Sequence, residues 1–554
     1  MAKREATKNV AATEVVGGGE DVGVLSPRSL IEAATSAMNP LTMARESARL
    51  YGEWLKILVG RSERDVPVKD WRFADPTWHE HPAYKRTAQG YLAFCDAIDR
   101  VIDGNPDWRK RERARFLTGI LTSAMAPTNT LIGNPAALKK AYETGGKSLV
   151  RGVQNLIDDV RHNKGMPSQV KRSDFKVGEN LAATPGAVVL RTERLELLQY
   201  QPTTAKVYAI PTLIIPPPIG KHYFIDLSPG RSFVEYAVAK GFQVFCISWR
   251  NPQVEQGDWG IDDYIGSMLE AVDAVCKITG SKKVNISGFC AGGIMTTLML
   301  SYMAAVRDKR VNAAAFGVML LDFDTEAPIG ALHSRKLIGV ARSRSAKKGI
   351  HPASALAQVF AWMRPNDLVW NYWVNNYLTG QDPPSFDILA WSVDGTNLPG
   401  KLHGQFLDIF EANALPKKGS INILGKPLDL ESIKVETLVT GGTTDHLTPW
   451  KGCYRTTQLL GGPSTFVLSN AGHVASLVNP PGNPKATYWL GPKPDDDPEA
   501  WLQEATKHTG TWWEVWVDWA GKRSGRQKLA PKALGNATYK AREKAPGTYV
   551  MERA

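Results

Sequence analysis

Cysteine is scarce in this chain. Five occur in 554 residues, Cys95, Cys246, Cys276, Cys290 and Cys453, and no two form a Cys-x-x-Cys pair. Such scatter excludes a disulfide framework and a cysteine-built zinc site, and it fits a reducing compartment. Long apolar runs are missing too. The longest, such as residues 313–321, have the length of a buried strand and fall far short of the roughly 20 residues a membrane-spanning helix needs. Residues 1–26 are polar and glycine-bearing and have no apolar centre of a signal peptide, so the expected location is the cytoplasm. No block of Lys and Arg alternates with aromatics as single-strand nucleic-acid binders require, and no internal repeat is visible. Neither nucleic acid nor a transmembrane segment is therefore expected.

What is present is a core. The chain is 43% hydrophobic and 22% charged, enough for two domains, and its net charge of +12 points to a small anionic substrate. After a disordered tail over 1–26, a mainly helical domain is expected over 27–175. Its first helix is signalled by Asn39 as N-cap, Pro40 at the first position and Gly60 as the stop, with Leu50, Tyr51, Trp54 and Leu58 on one face. The stretch 141–148 has a loose phosphate-loop pattern, but it follows a helical segment and reads as a helix end. His79, Glu80 and His81 precede Pro82 in a loop and read as a solvated surface, so no metal site is expected. From 176 to 554 short strands alternate with helices, the pattern of a parallel sheet. Strands are predicted over 187–191, 195–199, 212–215, 243–247, 283–287, 314–321, 435–440 and 464–468, with a helix over 261–279. The alternation stops between about 322 and 426, a Trp-, Tyr-, Asn- and Pro-rich insertion too long to be an ordinary loop. Its position is that of a cap. Within it, 334–348 carries six Lys and Arg, either a solvated face or a contact for CoA phosphates.

The predicted strand 283–287 runs into Gly288, Phe289, Cys290, Ala291, Gly292 and Gly293 and then into a helical stretch. Strand, tight glycine turn and helix form the nucleophile elbow of an α/β-hydrolase, with cysteine in place of serine. The helix N-terminus favours the thiolate of Cys290. In this fold an acid and a histidine follow in that order. Asp445 lies just past one predicted strand and His473 just past the last. Asp322 and Asp324 also follow a strand and are the alternative acids, and His446 either orients the site or packs. The oxyanion hole is expected to combine the Ala291 N–H with that of Ile219, because Pro216, Pro217 and Pro218 have none to give. A thiolate that accepts an acyl group from CoA exchanges one thioester for another and keeps the acyl group activated. Passage to a hydroxyl is then downhill, so cysteine favours acyl transfer to an alcohol over ester hydrolysis.

The elbow at 288–293 resembles that of the poly(3-hydroxyalkanoate) synthases. So do residues 183–189, Ile247 to Pro252, Arg364 to Tyr372, Asp394 to Gly400, Asp445 to Trp450, Gly472 with His473, and Pro546 to Val550. The resemblance runs from about Trp71 to the end and is of the single-chain class I or II type. Length and Phe289 look like class I, whereas Lys401 to Gly404 look closer to class II. Gly220, Lys221, His222 and Tyr223 stand where many members have Asn-Lys-Tyr-Tyr. The resemblance implies a capped α/β-hydrolase domain behind a helical domain. It implies polymerisation of (R)-3-hydroxyacyl-CoA with release of CoA and no cofactor, CoA entering as part of the substrate. Cys290 would carry the acyl chain, His473 would deprotonate it, and Asp445 would help activate the 3-hydroxyl. The family also implies a homodimer and a place on cytoplasmic polymer granules, for which the tryptophans at 512, 516 and 519 are a candidate surface, unless they are core. A cysteine thioesterase of the same fold and a non-catalytic granule-binding protein are the other readings.

Overall fold

The computed structural model describes residues 39–327 and 335–554. The expected tail over 1–26 lies outside the described residues. The chain divides into two compact units, one from residues 39–171 with 358–386, the other from 172–327, 335–357 and 387–554.

The first unit is helical. Its first helix, Pro40–Leu58, starts as its signals require: the Asn39 side chain accepts the Leu41 N–H at 2.9 Å, and Pro40 takes the first position. The apolar face does not point inward, however. Tyr51 and Leu58 are more than 60% exposed, while Glu46 is buried in an ion pair with Arg100 at 2.6 Å. The phosphate-loop-like stretch is a helix junction. Helix Pro135–Glu143 ends with Gly146 at φ 83°, whose N–H bonds the Ala141 carbonyl, and Lys147–His162 begins directly after. His79 Nε2 lies 3.1 Å from the Phe73 carbonyl. The aromatic and amide-rich run within 358–386 makes two π-helical turns and spends its polar groups on this unit's helices. Tyr377 donates to the buried Asp159 at 2.7 Å, and Trp373 Nε1 donates to the Asn129 carbonyl at 3.1 Å.

The second unit is built on a 10-stranded sheet. Its strands are β1 (Gly186–Arg191), β2 (Leu195–Tyr200), β3 (Thr212–Ile215), β4 (Val244–Trp249), β5 (Val284–Phe289), β6 (Val311–Gly317), β7 (Glu436–Gly442), β8 (Ser464–Ser469), β9 (Thr487–Leu490) and β10 (Thr506–Thr509). The spatial order is β1-β2-β4-β3-β5-β6-β7-β8-β9-β10. From β4 to β8 neighbours run parallel, and at both edges they turn antiparallel. Buried on both faces, the central strands are continuous apolar runs, with Leu213, Ile214, Ile215 and Phe245 to Ile247 fully enclosed. One face is covered by helices including Ile261–Thr279 and Ala291–Ala305.

The other face is covered in part by helix Trp512–Gly521. Trp512, Trp513 and Trp516 are almost wholly buried against Phe233 and Phe289, so this stripe is core and presents no surface for a polymer. Between β6 and β7 the chain inserts helices Arg335–Lys348, Ala353–Met363, Asp387–Ser392 and Gly400–Ala412. In the basic helix Arg335–Lys348, Arg342 is spent on Asp408 at 2.6 Å. Among the described residues no helix is long and apolar enough to cross a membrane, and no group of three or more His, Cys, Asp or Glu is placed to hold a metal.

Candidate active site

Parallel strands present their carboxyl ends at one edge of a sheet, and the loops that leave there build the site of an open α/β fold. Four such loops matter. β5 ends at Phe289 and turns at Cys290, which has φ 51° and ψ −128° before helix Ala291–Ala305 begins. A non-glycine residue in this region is strained, and neighbouring close packing holds it there. A β-carbon on Gly288 would lie 2.7 Å from Thr296 Oγ1, and one on Gly292 would collide with the Ile215 carbonyl at the end of β3. Both positions therefore exclude a side chain, and the elbow helix starts directly against the loop after β3. The strand hydrogen bond from the Cys290 N–H to the Gly317 carbonyl, 2.9 Å, fixes the turn to β6.

Asp445 follows β7 and His473 follows β8. The two loops are laced together: the Thr443 N–H donates to Ser469 and the Thr444 N–H to Ala471. His473 Nδ1 lies 2.8 Å from Asp445 Oδ2. The other carboxylate oxygen, Asp445 Oδ1, accepts the N–H groups of Leu447 and Thr448, each at 2.9 Å. The Thr448 hydroxyl donates to Asp445 Oδ2 at 2.6 Å and stands 3.1 Å from His473 Nδ1. Nδ1 being occupied, Nε2 is the ring nitrogen left for the Cys290 sulfur. Burial works against a charged ring, but the negative charges of Cys290 and Asp445 outweigh it and lift the His473 pKa to about 10. Burial likewise opposes the Asp445 carboxylate, and the charge and hydrogen bond of His473, with the hydrogen bonds of Thr448, hold its pKa below the usual value. Both shifts favour the charged forms of the Asp445–His473 pair.

Asp322 is differently engaged. Its Oδ1 accepts from Asn413 at 2.8 Å, and Arg455 stands 3.8 Å from Oδ2. Ala291 is the first residue of the elbow helix, where an N–H has no carbonyl four residues back. Ile219 lies on the loop after β3, half-buried against the core. The Pro216 carbonyl in that loop is held by Trp249 Nε1 at 2.9 Å. Thr448 touches both Asp445 and His473, and sequence reasoning misses it. Its one available signal is a threonine three residues beyond the acid, a spacing at which Asp side chains cap the following backbone.

This fold, with a thiol, an imidazole and a carboxylate on successive loops at the carboxyl edge of its sheet, defines a cysteine-centred member of the α/β-hydrolase class. Two family models match the chain: the Poly-beta-hydroxybutyrate polymerase (PhaC) N-terminus over residues 69–237, and the alpha/beta hydrolase fold over residues 220–480. Poly(3-hydroxyalkanoate) polymerase 1 of Ectopseudomonas oleovorans is 44% identical over 554 residues, 100% of this chain and 98% of its own. The poly(3-hydroxyalkanoate) polymerase subunit PhaC of Cupriavidus necator is 38% identical over 90% of this chain and 86% of its own. The chain belongs to the poly(3-hydroxyalkanoate) polymerase family.

Proposed function

We propose that this acyltransferase of the poly(3-hydroxyalkanoate) polymerase family polymerises (R)-3-hydroxyacyl-CoA through an acyl group held on Cys290. The Asp445–His473 contact of 2.8 Å, on the loops beside the cysteine elbow, is the observation that carries this reading. The Cys290 thiolate attacks the thioester carbonyl, and a carbon–sulfur bond forms. The charge on the carbonyl oxygen is met by the Ala291 and Ile219 N–H groups. Collapse breaks the bond to CoA, whose sulfur leaves with the proton from His473 Nε2. His473, now neutral, takes the proton of a 3-hydroxyl as that oxygen attacks the acyl-cysteine; an ester forms, the bond from the acyl carbon to Cys290 breaks, and the thiolate and imidazolium are restored. Asp445 keeps the ring proton on Nδ1 and so keeps Nε2 free to work.

The chemistry needs no metal or cofactor, because the CoA thioester is already an activated acyl donor. The product is a water-insoluble polyester, so the enzyme works at the surface of cytoplasmic granules. The homodimer implied by the family's pattern is part of this reading. The test is incubation of the full chain with (R)-3-hydroxybutyryl-CoA, following free thiol, insoluble polymer and soluble acid together. Thiol with polymer is expected, and Cys290→Ala is expected to abolish both while melting as the wild type does. Thiol with soluble acid alone would make the enzyme a thioesterase. Activity retained by Cys290→Ala would remove the nucleophile from the mechanism.

A further inference from the structure

A buried amine ties the C-terminal segment to the loop of Ile219. Lys221 lies two residues beyond Ile219 and is only 3% exposed, and its Nζ donates to the Glu552 backbone carbonyl at 2.5 Å. Burial pulls the amine pKa down, and the nearby carboxylates of Asp394 and Glu552 work against that pull. The backbone of Lys221 is gripped from the other side. Its carbonyl accepts Trp391 Nε1 at 2.8 Å, and the same indole closes on Gly220, where an added β-carbon would stand 3.3 Å from the ring. Gly220 has φ 106°, a conformation that only glycine adopts freely. The exit of the oxyanion loop is therefore held between Trp391 and residue 552.

Residue 552 is itself fixed. Glu196 in β2 is fully buried, and its carboxylate accepts the N–H groups of Thr548 and Tyr549 at 2.9 and 3.0 Å and the Thr548 hydroxyl at 2.9 Å. Arg250 pairs with the Glu552 carboxylate at 3.3 Å. An apolar side chain of similar length would fill the Lys221 site without the cost of a buried charge, so stability alone does not account for an amine there.

We propose that Lys221 is a positioning residue for acyl transfer. Through its bond to Glu552 it sets the loop from which the Ile219 N–H meets the developing oxyanion. The inference rests on the acyl-transfer reading above. Three full-length or near full-length proteins test it beside the wild type: Lys221→Met, the chain ended at Val550, and the two changes combined. Each is measured for kcat and KM of CoA release from (R)-3-hydroxybutyryl-CoA. Each is also measured for the rate at which iodoacetamide alkylates Cys290, a reaction that uses the thiolate but no oxyanion hole.

The expected result for each single change is a kcat roughly ten- to a hundredfold lower, with KM and alkylation rate within about twofold of wild type. The combined protein is expected to be no slower than the slower single one, because both changes break one contact. An unchanged kcat in Lys221→Met overturns the inference alone. So does alkylation that falls in step with turnover, which would mean a damaged elbow, or losses that multiply in the combined protein. No CoA release by the wild type either from (R)-3-hydroxybutyryl-CoA or from a medium-chain (R)-3-hydroxyacyl-CoA would overturn the acyl-transfer reading, and this inference with it.

Discussion

Replacing Asp445 by asparagine asks one question of the site: does the carboxylate act through His473? The local geometry decides how the amide must sit. Leu447 and Thr448 aim two N–H groups at the Oδ1 position, each at 2.9 Å, so an NH2 there would face two donors. The amide oxygen takes that place and the NH2 falls at the Oδ2 position, 2.8 Å from His473 Nδ1. The ring must then accept at Nδ1 and carry its proton on Nε2, the nitrogen that serves Cys290. A histidine in the wrong tautomer is expected to slow acyl transfer by about 10³- to 10⁴-fold, or about 4–5.5 kcal/mol in the barrier. The range is set by the serine-protease triad, where the same change of acid to amide leaves the geometry intact and inverts the tautomer. The assay is a single turnover with a saturated acyl-CoA lacking the 3-hydroxyl, read as CoA released and as mass added to Cys290. That substrate acylates the enzyme and can go no further. Acylation of Asp445→Asn within about tenfold of wild type would refute the argument and place Asp445 at the later, hydroxyl-activating step.

Two further outcomes follow from the packing and the charges. Trp516 is 1% exposed, packs on Phe233 and Phe242 with ring centroids 4.9 and 4.7 Å away, and donates to Ser287 at 3.2 Å. Trp516→Ala is expected to lower the unfolding free energy by about 3–5 kcal/mol in a urea titration, and a loss under about 1 kcal/mol would contradict its place in the core. His473 stands at a pKa of about 10 against an unfolded value of 6.5, with burial opposing the shift and Cys290 and Asp445 producing it. A pKa raised by folding gives stability that is whole below pH 6.5 and disappears as the pH rises through 10. The wild-type melting temperature is therefore expected to fall across that window more steeply than that of His473→Gln. Parallel curves would show that the imidazolium adds nothing.

Much of the catalytic sheet is legible in the sequence because its central strands are parallel and buried on both faces, which leaves them as short apolar runs between turn residues. The prediction for 314–321 is displaced toward the C-terminus, the observed strand being Val311–Gly317. Residues 318–321 are apolar and buried, but Val318 leaves the sheet at φ 47°, and apolar composition cannot distinguish a buried strand from a buried turn. β9 and β10 have no counterpart among the predicted strands. They are antiparallel; β9 is half-buried and β10 is largely open to solvent, and Thr506, Lys507, His508 and Thr509 carry no apolar alternation to read. Cys290, Asp445 and His473 can be picked out because each follows a strand, and strand order is a sequence property. Thr448, Lys221 and Glu196 cannot. Their importance lies in contacts with side chains or backbone that only the folded chain brings near, as with Glu196 and residue 548, which are 352 positions apart.

The buried carboxylate of Glu196 also bears on the order of folding. β2 belongs to the sheet's antiparallel edge, next to β4, and can pair as soon as β4 has been made. Its glutamate is held by Arg191 from β1, and the rest of its hydrogen-bonding capacity is filled only when residues 548 and 549 arrive. A buried carboxylate without its donors costs several kcal/mol. Fragments that stop short of residue 548 therefore carry the whole parallel sheet and yet leave it with a destabilised edge. Such non-local closure makes folding slow and dependent on late contacts. The edge of the catalytic sheet is thus completed only by the end of the described chain, which docks beside a strand more than 300 residues earlier in the sequence.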